Sequence, residues 1–288
     1  MKKFLEIHKS PAQHWVGDGF PVRSILSSQR LGPAISPFLL LDYGGPMEFS
    51  PADQPRGVDE HPHRGFETVT IVYQGEVEHR DSAGNHGSIG PGDVQWMTAA
   101  SGIVHEEKHS REFTRRGGMF EMVQLWVNLP AKFKTSPPSY QTLLDRDIPV
   151  VKLANDSGTV RMIAGNFQNT RGPARTFTPI NLWDIRLQAG HAAELQVPDG
   201  YTTILVNLRG KILLNETEKV DAAEVALFDR HGENIAIEAR EDATLLLLSG
   251  EPIHEPVVSY GPFVMNTDDE IRQAIIDYQT GRMGRIEH

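Results

Sequence analysis

The chain has 288 residues, of which 39% are hydrophobic and 23% charged, a composition that excludes a wholly disordered protein. Its 28 basic and 38 acidic residues give a net charge of −10, which argues against direct binding to nucleic-acid phosphates. The lack of cysteine excludes disulfides, thiolate metal ligands and a cysteine nucleophile. Neither a bilayer-spanning apolar run nor a signal peptide is present, so the sequence predicts a cytoplasmic, two-domain protein without membrane contacts.

Short runs of β-branched and alternating residues, separated by glycine and proline, recur along the chain and predict an all-β protein. The clearest of these runs lie at residues 68–73, 124–127, 203–206 and 244–248. Proline cannot donate to a sheet ladder, so the Pro-rich segment 135–139 predicts a linker. Two helices are expected, one around residues 140–146 and one that begins with the capping box Thr267–Glu270 and ends near Gly281.

The two halves of the chain share a motif, because Gly65–Gly75 aligns with Gly200–Gly210. Each copy reads glycine, an aromatic residue, a polar residue and threonine, continues with mostly strand-forming residues and closes on a second glycine. The copies lie about half the chain length apart, so the repeat indicates a duplicated domain rather than a solenoid unit. The predicted division is an N-terminal domain at residues 1–134, a linker at 135–145 and a C-terminal domain with the terminal helix at 146–288.

The first half contains two pairs of residues with the chemistry of metal ligands, His61 with His63 and His105 with Glu107. Residues two apart in a strand project to the same face, so each pair can point into one barrel interior, which Glu67 is expected to share. Imidazole and carboxylate donors suit iron, nickel, manganese, copper or zinc without selecting among them. The residues alone leave an alternative open, because His-x-His also arises by chance among 12 histidines and is then a solvated surface pair.

Longer motifs around these residues resemble the pirin family of the cupin superfamily, bicupin proteins that are related to quercetin 2,3-dioxygenases. The resembling segments are His61–Val69, Pro91–Ala99, Gly102–Glu107, Gln124–Pro130, Gly250–Ile253 and Gly261–Thr267. They are spread over nearly the whole chain. The resemblance implies an all-β fold of two tandem cupin barrels, each a double-stranded β-helix or jelly roll, with a few short helices including a C-terminal one.

The resemblance further implies that His61, His63, His105 and Glu107 bind one divalent metal ion in the N-terminal domain. Fe(II) is the expected ion, and Ni, Mn, Cu, Co and Zn are compatible with the same ligands. Glu67 fills a position that binds metal in many other cupins, but in pirin-like proteins the carboxylate ligand comes from the second motif. Glu67 is therefore expected to pack beside the ligands rather than to bind the ion.

The C-terminal domain is expected to be metal-free. Extension of the repeat alignment sets Gln196 and Pro198 opposite the two histidines of the first motif, and Ile237 and Ala239 opposite the two ligands of the second. The remaining histidines are interpreted as ordinary polar or packed side chains: His8, His14, His79, His86, His109, His191, His231, His254 and His288.

The function that the resemblance implies is that of a metal-dependent dioxygenase, which cleaves quercetin or a related flavonol or enolic aromatic with O2 and releases carbon monoxide. In this hypothesis Glu107 is the catalytic base for the 3-hydroxyl proton, and the metal holds the flavonolate beside dioxygen. The alternative is a non-catalytic, redox-sensitive metal protein that binds a transcription factor or a metabolic enzyme. A third interpretation is a bicupin that acts on another enolic or catecholic metabolite. The chain is expected to be a monomer.

Overall fold

The structure of the chain is a computed structural model that describes residues 1–287, so His288 lies outside the described residues. The first half contains the strands β1 (Phe4–His8), β2 (His14–Val16), β3 (Phe20–Ser27), β4 (Phe38–Phe49), β5 (Gly57–His63), β6 (Phe66–Gln74), β7 (Val77–Asp81), β8 (His86–Ile89), β9 (Val94–Thr98), β10 (Ile103–His109), β11 (Gly118–Asn128) and β12 (Ser139–Leu143). The second half contains β13 (Val150–Lys152), β14 (Gly158–Ala164), β15 (Asn166–Phe167), β16 (Thr170–Arg171), β17 (Ile180–Leu187), β18 (Ala192–Gln196), β19 (Thr202–Arg209), β20 (Ile212–Leu214), β21 (Glu218–Val220), β22 (Glu224–Phe228), β23 (Asn234–Ala239), β24 (Ala243–Gly250), β25 (Val258–Tyr260) and β26 (Phe263–Met265). The predicted all-β class is confirmed.

The helices are few and short: α1 (Ser28–Leu31), α2 (Arg111–Arg116) and α3 (Asp268–Gln279). Single 3-10 turns lie at Gly32–Ile35, Ala131–Phe133, Asp145–Asp147 and Ala154–Asp156. Within residues 1–287, none of the helices has the length and apolar character needed to cross a membrane.

Two pairs of sheets have the same strand order, one pair for each cupin barrel. The first barrel has a seven-stranded sheet in the order β12-β9-β6-β11-β4-β3-β2 and a four-stranded sheet in the order β5-β10-β7-β8. The second barrel has the orders β1-β22-β19-β24-β17-β14-β13 and β18-β23-β20-β21. The strands β6 and β19, which carry the repeated motif, hold the same place in their sheets, so the predicted duplication is confirmed.

Contacts group the chain into two compact units, and each unit is assembled from separate segments. One unit contains residues 1–12, 24–39 and 146–252, and the other contains 13–23, 40–145 and the described residues from 253 onward. This grouping differs from the continuous division expected from the sequence, since β1 pairs with β22, and α3 groups with the first barrel. These assignments depend on pairing between strands that lie far apart in sequence, and the order of residues along the chain does not reveal that pairing.

Residues 139–143, within the segment expected to be a linker or a helix, form β12 and pair with β9. The helix prediction around residues 140–146 is wrong, because the buried side chains of Gln141 and Leu143 lie two residues apart, which is the period of a strand. Only a 3-10 turn, Asp145–Asp147, follows.

The predicted C-terminal helix is confirmed as α3. Oγ1 of Thr267 accepts a hydrogen bond from the backbone N–H of Glu270 at 3.2 Å, and the Glu270 carboxylate accepts from the backbone N–H of Asn266 at 3.0 Å. Asp277 of α3 accepts a hydrogen bond at 2.6 Å from Arg64, the residue that follows β5. The helix therefore anchors the end of the strand that carries two predicted metal ligands.

Candidate metal centre

The predicted ligands lie on two neighbouring strands of the first barrel. Strands β5 and β10 are antiparallel, and His61 lies opposite His105. The register shifts between His105 and Glu107, so that Glu107 lies opposite Val58. Both predicted pairs therefore reach the same part of the sheet, but Glu107 is displaced along β5 relative to the histidines.

The three imidazoles form one cluster. The ring centroids of His61 and His105 are 4.3 Å apart, and the centroid of His63 lies 4.8 Å from each of them. One ring nitrogen of each residue lies within 4.8 Å of the other two. His63 and His105 are buried, and His61 is partly exposed. This is the convergence of imidazoles that the sequence predicts.

Two nitrogens of this cluster, Nδ1 of His63 and Nε2 of His105, are buried without a hydrogen-bond partner among residues 1–287. Nδ1 of His61 instead donates to the carbonyl oxygen of Asp59 at 2.8 Å. A carbonyl oxygen only accepts, so the proton of neutral His61 is on Nδ1, and its Nε2 carries a lone pair. Buried polar atoms that lack a partner are costly, and their presence here indicates a site that binds a ligand.

The pKa values of the buried imidazoles suit metal binding. Burial holds the pKa of His63 well below its usual range, and His61 lowers it further. Burial does the same for the pKa of His105, to which the surrounding imidazoles also contribute. Both rings are therefore neutral at physiological pH, and the neutral ring is the form that binds a metal.

The carboxylate of Glu107 lies beside the cluster and accepts three side-chain hydrogen bonds. Oε1 accepts from Thr70 Oγ1 at 3.2 Å and from Gln95 Nε2 at 2.9 Å. Oε2 accepts from Gln124 Nε2 at 2.7 Å. Glu107 is buried, so these donors take the place of water around the carboxylate.

His79, interpreted from the sequence as an ordinary histidine, belongs to this site. With His105 and Glu107 it forms a second group, in which one ligand atom of each residue lies within 4.8 Å of the others. Its Nδ1 lies 3.3 Å from Nδ1 of His105, and its Nε2 lies 3.1 Å from Oδ2 of Asp81. The four predicted ligands are thus divided between two groups that share His105.

The donors Thr70, Gln95 and Gln124 were likewise not expected from the sequence. Each is a polar residue with an apolar neighbour on either side along its strand, and this was the available signal. His79 and Asp81 show a second signal, because they lie two apart on β7 and therefore share a face. They lie opposite Glu107 and His105 of the neighbouring strand β10, respectively.

The face of β6 that points to the site is the opposite of the face expected from the sequence. The Phe66 ring lies 5.1 Å from the ring of His63, and Thr70 binds the site carboxylate, so the even-numbered residues of β6 face the cluster. Glu67 therefore lies on the other face, and the expectation that it shares the face of the histidines is wrong. The cause is Gly65 between β5 and β6, whose φ of +89° interrupts the alternation of side chains.

Glu67 is buried in its own environment on that other face. Its Oε1 accepts a hydrogen bond from Oγ1 of Thr98 at 2.8 Å. Burial raises the pKa of Glu67 to about 7, although the hydrogen bond from Thr98 opposes the shift.

An aromatic wall borders the cluster. The Trp126 ring lies 5.3 Å from the ring of His63 and 4.4 Å from that of Phe66. Phe66 is fully buried, but Trp126 is partly exposed. Nε1 of Trp126 donates to Oε1 of Gln124 at 3.4 Å, which links the wall to the donors around the carboxylate.

Comparisons with known proteins agree with this geometry. Residues 19–127 match the Pirin family, and residues 182–284 match the Pirin C-terminal cupin domain. A Pseudomonas aeruginosa protein, whose name assigns it provisionally to the quercetin 2,3-dioxygenases, is 58% identical over 285 residues and covers 99% of each chain. This chain belongs to the pirin family. Human pirin is 36% identical over 256 residues, which are 87% of this chain and 83% of the human protein.

Solved structures extend the comparison. A crystal structure described as quercetin 2,3-dioxygenase from Acinetobacter baumannii matches this pirin with a TM-score of 0.97 and 50% identity over 100% of both chains. A bacterial pirin from Escherichia coli in complex with nickel(II) matches with a TM-score of 0.65 over 86% of this chain and 99% of the other. At 19% identity, that second match shows the fold alone.

The second barrel of this pirin has apolar residues at the positions that correspond to the site. In the first barrel Glu107 lies opposite His79, and in the second Ile237 lies opposite Leu214. His79 and Leu214 follow the closing glycine of the repeated motif at the same distance. Ile237 therefore corresponds to Glu107, and Ile235 to His105, so the alignment made from the sequence, which used Ala239 and Ile237, is wrong here by two residues.

The same register assigns the other two positions. His61 lies opposite His105, and the counterpart of His105 lies opposite Leu195. Leu195 thus corresponds to His61 and Val197 to His63, and both are buried. The alignment made from the sequence used the exposed residues Gln196 and Pro198. A slip of one residue exchanges the two faces of a strand, so that alignment is wrong at these positions.

Proposed function

We propose that this pirin is a metal-dependent dioxygenase that cleaves a flavonol such as quercetin, or a related enolic aromatic, with O2. The observation that carries the proposal is the cluster of three imidazoles with unpaired buried nitrogens and a carboxylate beside it. The names of a relative with 58% identity and of a solved structure with 50% identity support the choice of reaction.

The residues that would hold the ion are His61, His63, His105 and Glu107. The unpaired nitrogen of His105 and the lone pair of His61 fit a cation, with His63 beside them. Nitrogen and oxygen donors of this kind suit Fe(II), Ni, Mn, Cu, Co and Zn alike, and the pirin family favours Fe(II) among them. When bound, such an ion stabilises the negative charge of an enolate oxygen and orients it. The displaced position of Glu107 leaves its carboxylate at the edge of the imidazole cluster, where substrate would also lie.

Glu107 is the proposed base for the 3-hydroxyl proton. Oε1 accepts hydrogen bonds from Thr70 and Gln95, whereas Oε2 accepts only from Gln124 among the described residues, so one acceptor site on Oε2 remains, and it serves a substrate hydroxyl when the carboxylate is not bound to the ion. A base must approach the proton-bearing atom to roughly 2.6–3.2 Å. The three donors fix the direction of the carboxylate and thereby favour that approach.

Trp126 is the proposed contact for the aromatic part of the substrate. Its partly exposed ring lies beside His63, and offset or edge-to-face packing of aromatic rings contributes about 0.5–1.5 kcal/mol beyond burial. The second barrel has Ser249 at the corresponding position, since Thr68 lies opposite Trp126 as Thr203 lies opposite Ser249. This contrast, together with the apolar residues at the ligand positions, supports a metal-free second barrel.

The experiment is aerobic turnover of quercetin by protein loaded separately with Fe(II) and with each alternative ion, followed by loss of substrate absorbance and release of carbon monoxide. Glu107→Gln should lower kcat by roughly 100-fold or more, because general-base catalysis contributes roughly 10²–10⁴-fold. Elemental analysis should show that the variant keeps part of its metal. Glu106→Gln is the matched control, since Glu106 is the neighbouring carboxylate and pairs with Lys108.

Unchanged turnover in Glu107→Gln would remove Glu107 from the mechanism. Full metal occupancy without turnover of quercetin or related flavonols would contradict the proposal as a whole. That outcome, with a stoichiometric protein partner recovered from cells, would favour the non-catalytic regulatory protein instead.

A further inference from the structure

Three side chains of the first barrel form a buried chain of hydrogen bonds that ends at the metal cluster. Oδ2 of Asp81 lies 3.1 Å from Nε2 of His79, and Nδ1 of His79 lies 3.3 Å from Nδ1 of His105. All three residues are at most 4% exposed. Each link joins atoms whose proton positions depend on the neighbouring link.

Asp81 is held as the acceptor at the start of this chain. Its Oδ1 accepts the backbone N–H groups of Ala83 and Asn85 at 2.9 and 3.0 Å. The side chain of Asn85 donates to Oδ2 at 2.9 Å. An ionised carboxylate only accepts, so the atom of His79 that faces it, Nε2, carries a proton.

Gln95 independently determines whether the other ring nitrogen of His79, Nδ1, donates or accepts. Oε1 of Gln95 accepts from the hydroxyl of Tyr140 at 3.0 Å, and Nε2 donates to Glu107 at 2.9 Å. A flipped amide would place its oxygen against the Glu107 carboxylate, so the orientation is fixed. Nε2 of Gln95 also lies 3.3 Å from Nδ1 of His79, and a donor in that place requires Nδ1 to accept.

These assignments determine the tautomer of His105. Since Nδ1 of His79 accepts, Nδ1 of His105 must carry the proton between them. Neutral His105 then has its lone pair on Nε2. That is the buried atom without a partner among residues 1–287, and the one left to face a cation.

We propose that His79 is a positioning residue that sets the tautomer of His105 before any metal binds, through Asp81 on one side and Gln95 on the other. The inference rests on the metal site of the proposed function but not on its substrate. The first barrel is then a preorganised metal site, because the His105 ring need neither flip nor exchange a proton to bind an ion.

The direct test is long-range ¹H–¹⁵N NMR of the histidine rings in metal-free protein, which reports the nitrogen that carries the proton. In the wild type we expect the proton on Nδ1 of His105 and on Nε2 of His79. In the double variant Asp81→Asn/Gln95→Leu the new amide oxygen keeps the backbone donors, its NH₂ group faces Nε2 of His79, and no donor faces Nδ1, so both protons should move to the other nitrogen. Glu78→Gln, on the same strand and with the same charge change, should leave both tautomers unchanged.

Metal affinity, measured by competition with a chelator, gives the second readout. Asp81→Asn should weaken binding roughly 10–100-fold, the usual effect of altering a residue that supports a ligand. His79→Leu, which introduces the residue of the corresponding Leu214 position, should weaken it similarly. His79→Gln should recover part of the affinity, because the amide oxygen of glutamine can accept from Nδ1 of His105. Thermal unfolding of each variant identifies any that fail to fold.

Metal-free wild-type protein with the His105 proton on Nε2 would overturn the inference, as would tautomers that do not change in Asp81→Asn/Gln95→Leu. Affinity that stays the same in both Asp81→Asn and His79→Leu would overturn it too. A pirin that fails to turn over flavonols but shows the expected tautomers would contradict the proposed function alone. Turnover of flavonols with the opposite tautomer would contradict the inference alone.

Discussion

In the first barrel Thr70 of β6 lies between Gln95 and Gln124, and in the second barrel Leu205 of β19 lies between Ala226 and Leu247. The polar residues of the first set hold the carboxylate of the site. With the ligand positions added, every counterpart belongs to one hydrophobic cluster of the second barrel: Leu195, Val197, Leu205, Leu214, Ala226, Ile235, Ile237 and Leu247. One backbone plan thus encloses either a polar network or an apolar core.

The difference shows that the fold does not require the polar interior. Buried imidazoles and carboxylates cost free energy unless they are paired, and the second barrel avoids this cost with aliphatic side chains. The first barrel retains two buried imidazole nitrogens that lack a partner within residues 1–287. We infer that its interior is arranged to bind a ligand rather than to maximise stability.

Both barrels contain a lysine, away from the site, that donates hydrogen bonds to backbone carbonyl oxygens. Nζ of Lys134 donates to the carbonyl oxygens of Gly65 and Val264 and to the side-chain oxygen of Asn128, at 2.6 to 2.9 Å. Nζ of Lys2 donates to three carbonyl oxygens of the second barrel, including that of Tyr201. In each barrel a lysine therefore binds the backbone where the motif strand, β6 or β19, begins.

The largest expected effect comes from moving a residue of the second barrel into the first. His105→Ile copies the counterpart Ile235 and removes a nitrogen ligand common to both metal groups. We expect metal content to fall from one ion per chain to nearly none, while the fold is kept. Elemental analysis after dialysis measures this, with Ile235→Val as the control that keeps its metal and costs about 1 kcal/mol. Full occupancy in His105→Ile would place the site elsewhere.

The interiors should also differ in their response to truncation. Leu247→Ala empties a fully buried position of the apolar cluster, and we expect a loss of about 2–5 kcal/mol in the free energy of unfolding. Gln124→Ala at the corresponding position of the first barrel removes one hydrogen bond to Glu107 and should cost about 1 kcal/mol. Chemical denaturation of metal-free protein measures both. Equal losses would show that the two interiors are energetically alike.

The shared lysine should matter less than the apolar core. Lys134→Met keeps most of the aliphatic stem but leaves three oxygen acceptors without their donor, so we expect a loss of about 3 kcal/mol in the free energy of unfolding. The control Lys132→Met changes an exposed side chain and should stay within about 0.5 kcal/mol of the wild type. A loss in Lys134→Met no larger than in the control would mean that the anchor has no energetic role.

The smallest effect concerns Glu67 and depends on pH. Its pKa rises from 4.5 to about 7 on folding, so the folded protein binds more protons than the unfolded chain between these values. The contribution of Glu67 to wild-type stability should therefore fall as pH rises from 4.5 to 7, by no more than about 3 kcal/mol, and the difference from a variant that lacks the carboxyl isolates it. Gln does not titrate, so the free energy of unfolding of Glu67→Gln should increase relative to that of the wild type as pH rises through this window.

Denaturation of metal-free protein across the pH range checks this prediction. Glu48→Gln, at an exposed position of β4, is the control and should follow the wild type. Parallel curves for the wild type and Glu67→Gln would show that the buried carboxyl does not titrate in this window.

The sequence by itself determined the all-β class, the duplication and the identity of the imidazole cluster. Gly65–Gly75 and Gly200–Gly210 mark equivalent strands, and the spacing of His61 and His63 fixes a shared face. These properties are local, because the side chains of a strand alternate with a period of two residues and a turn residue ends the strand at its own position.

Tertiary structure alone decided which positions face one another across strands. The left-handed Gly65 and the register shift before Glu107 each reset the alternation, so the face of Glu67 and the counterparts of the ligands could not be counted along the chain. His79 entered the site for the same reason, since β7 reaches β10 through hydrogen bonds between segments far apart in sequence. Pairing of distant strands is a property of the folded backbone, and no local pattern specifies it.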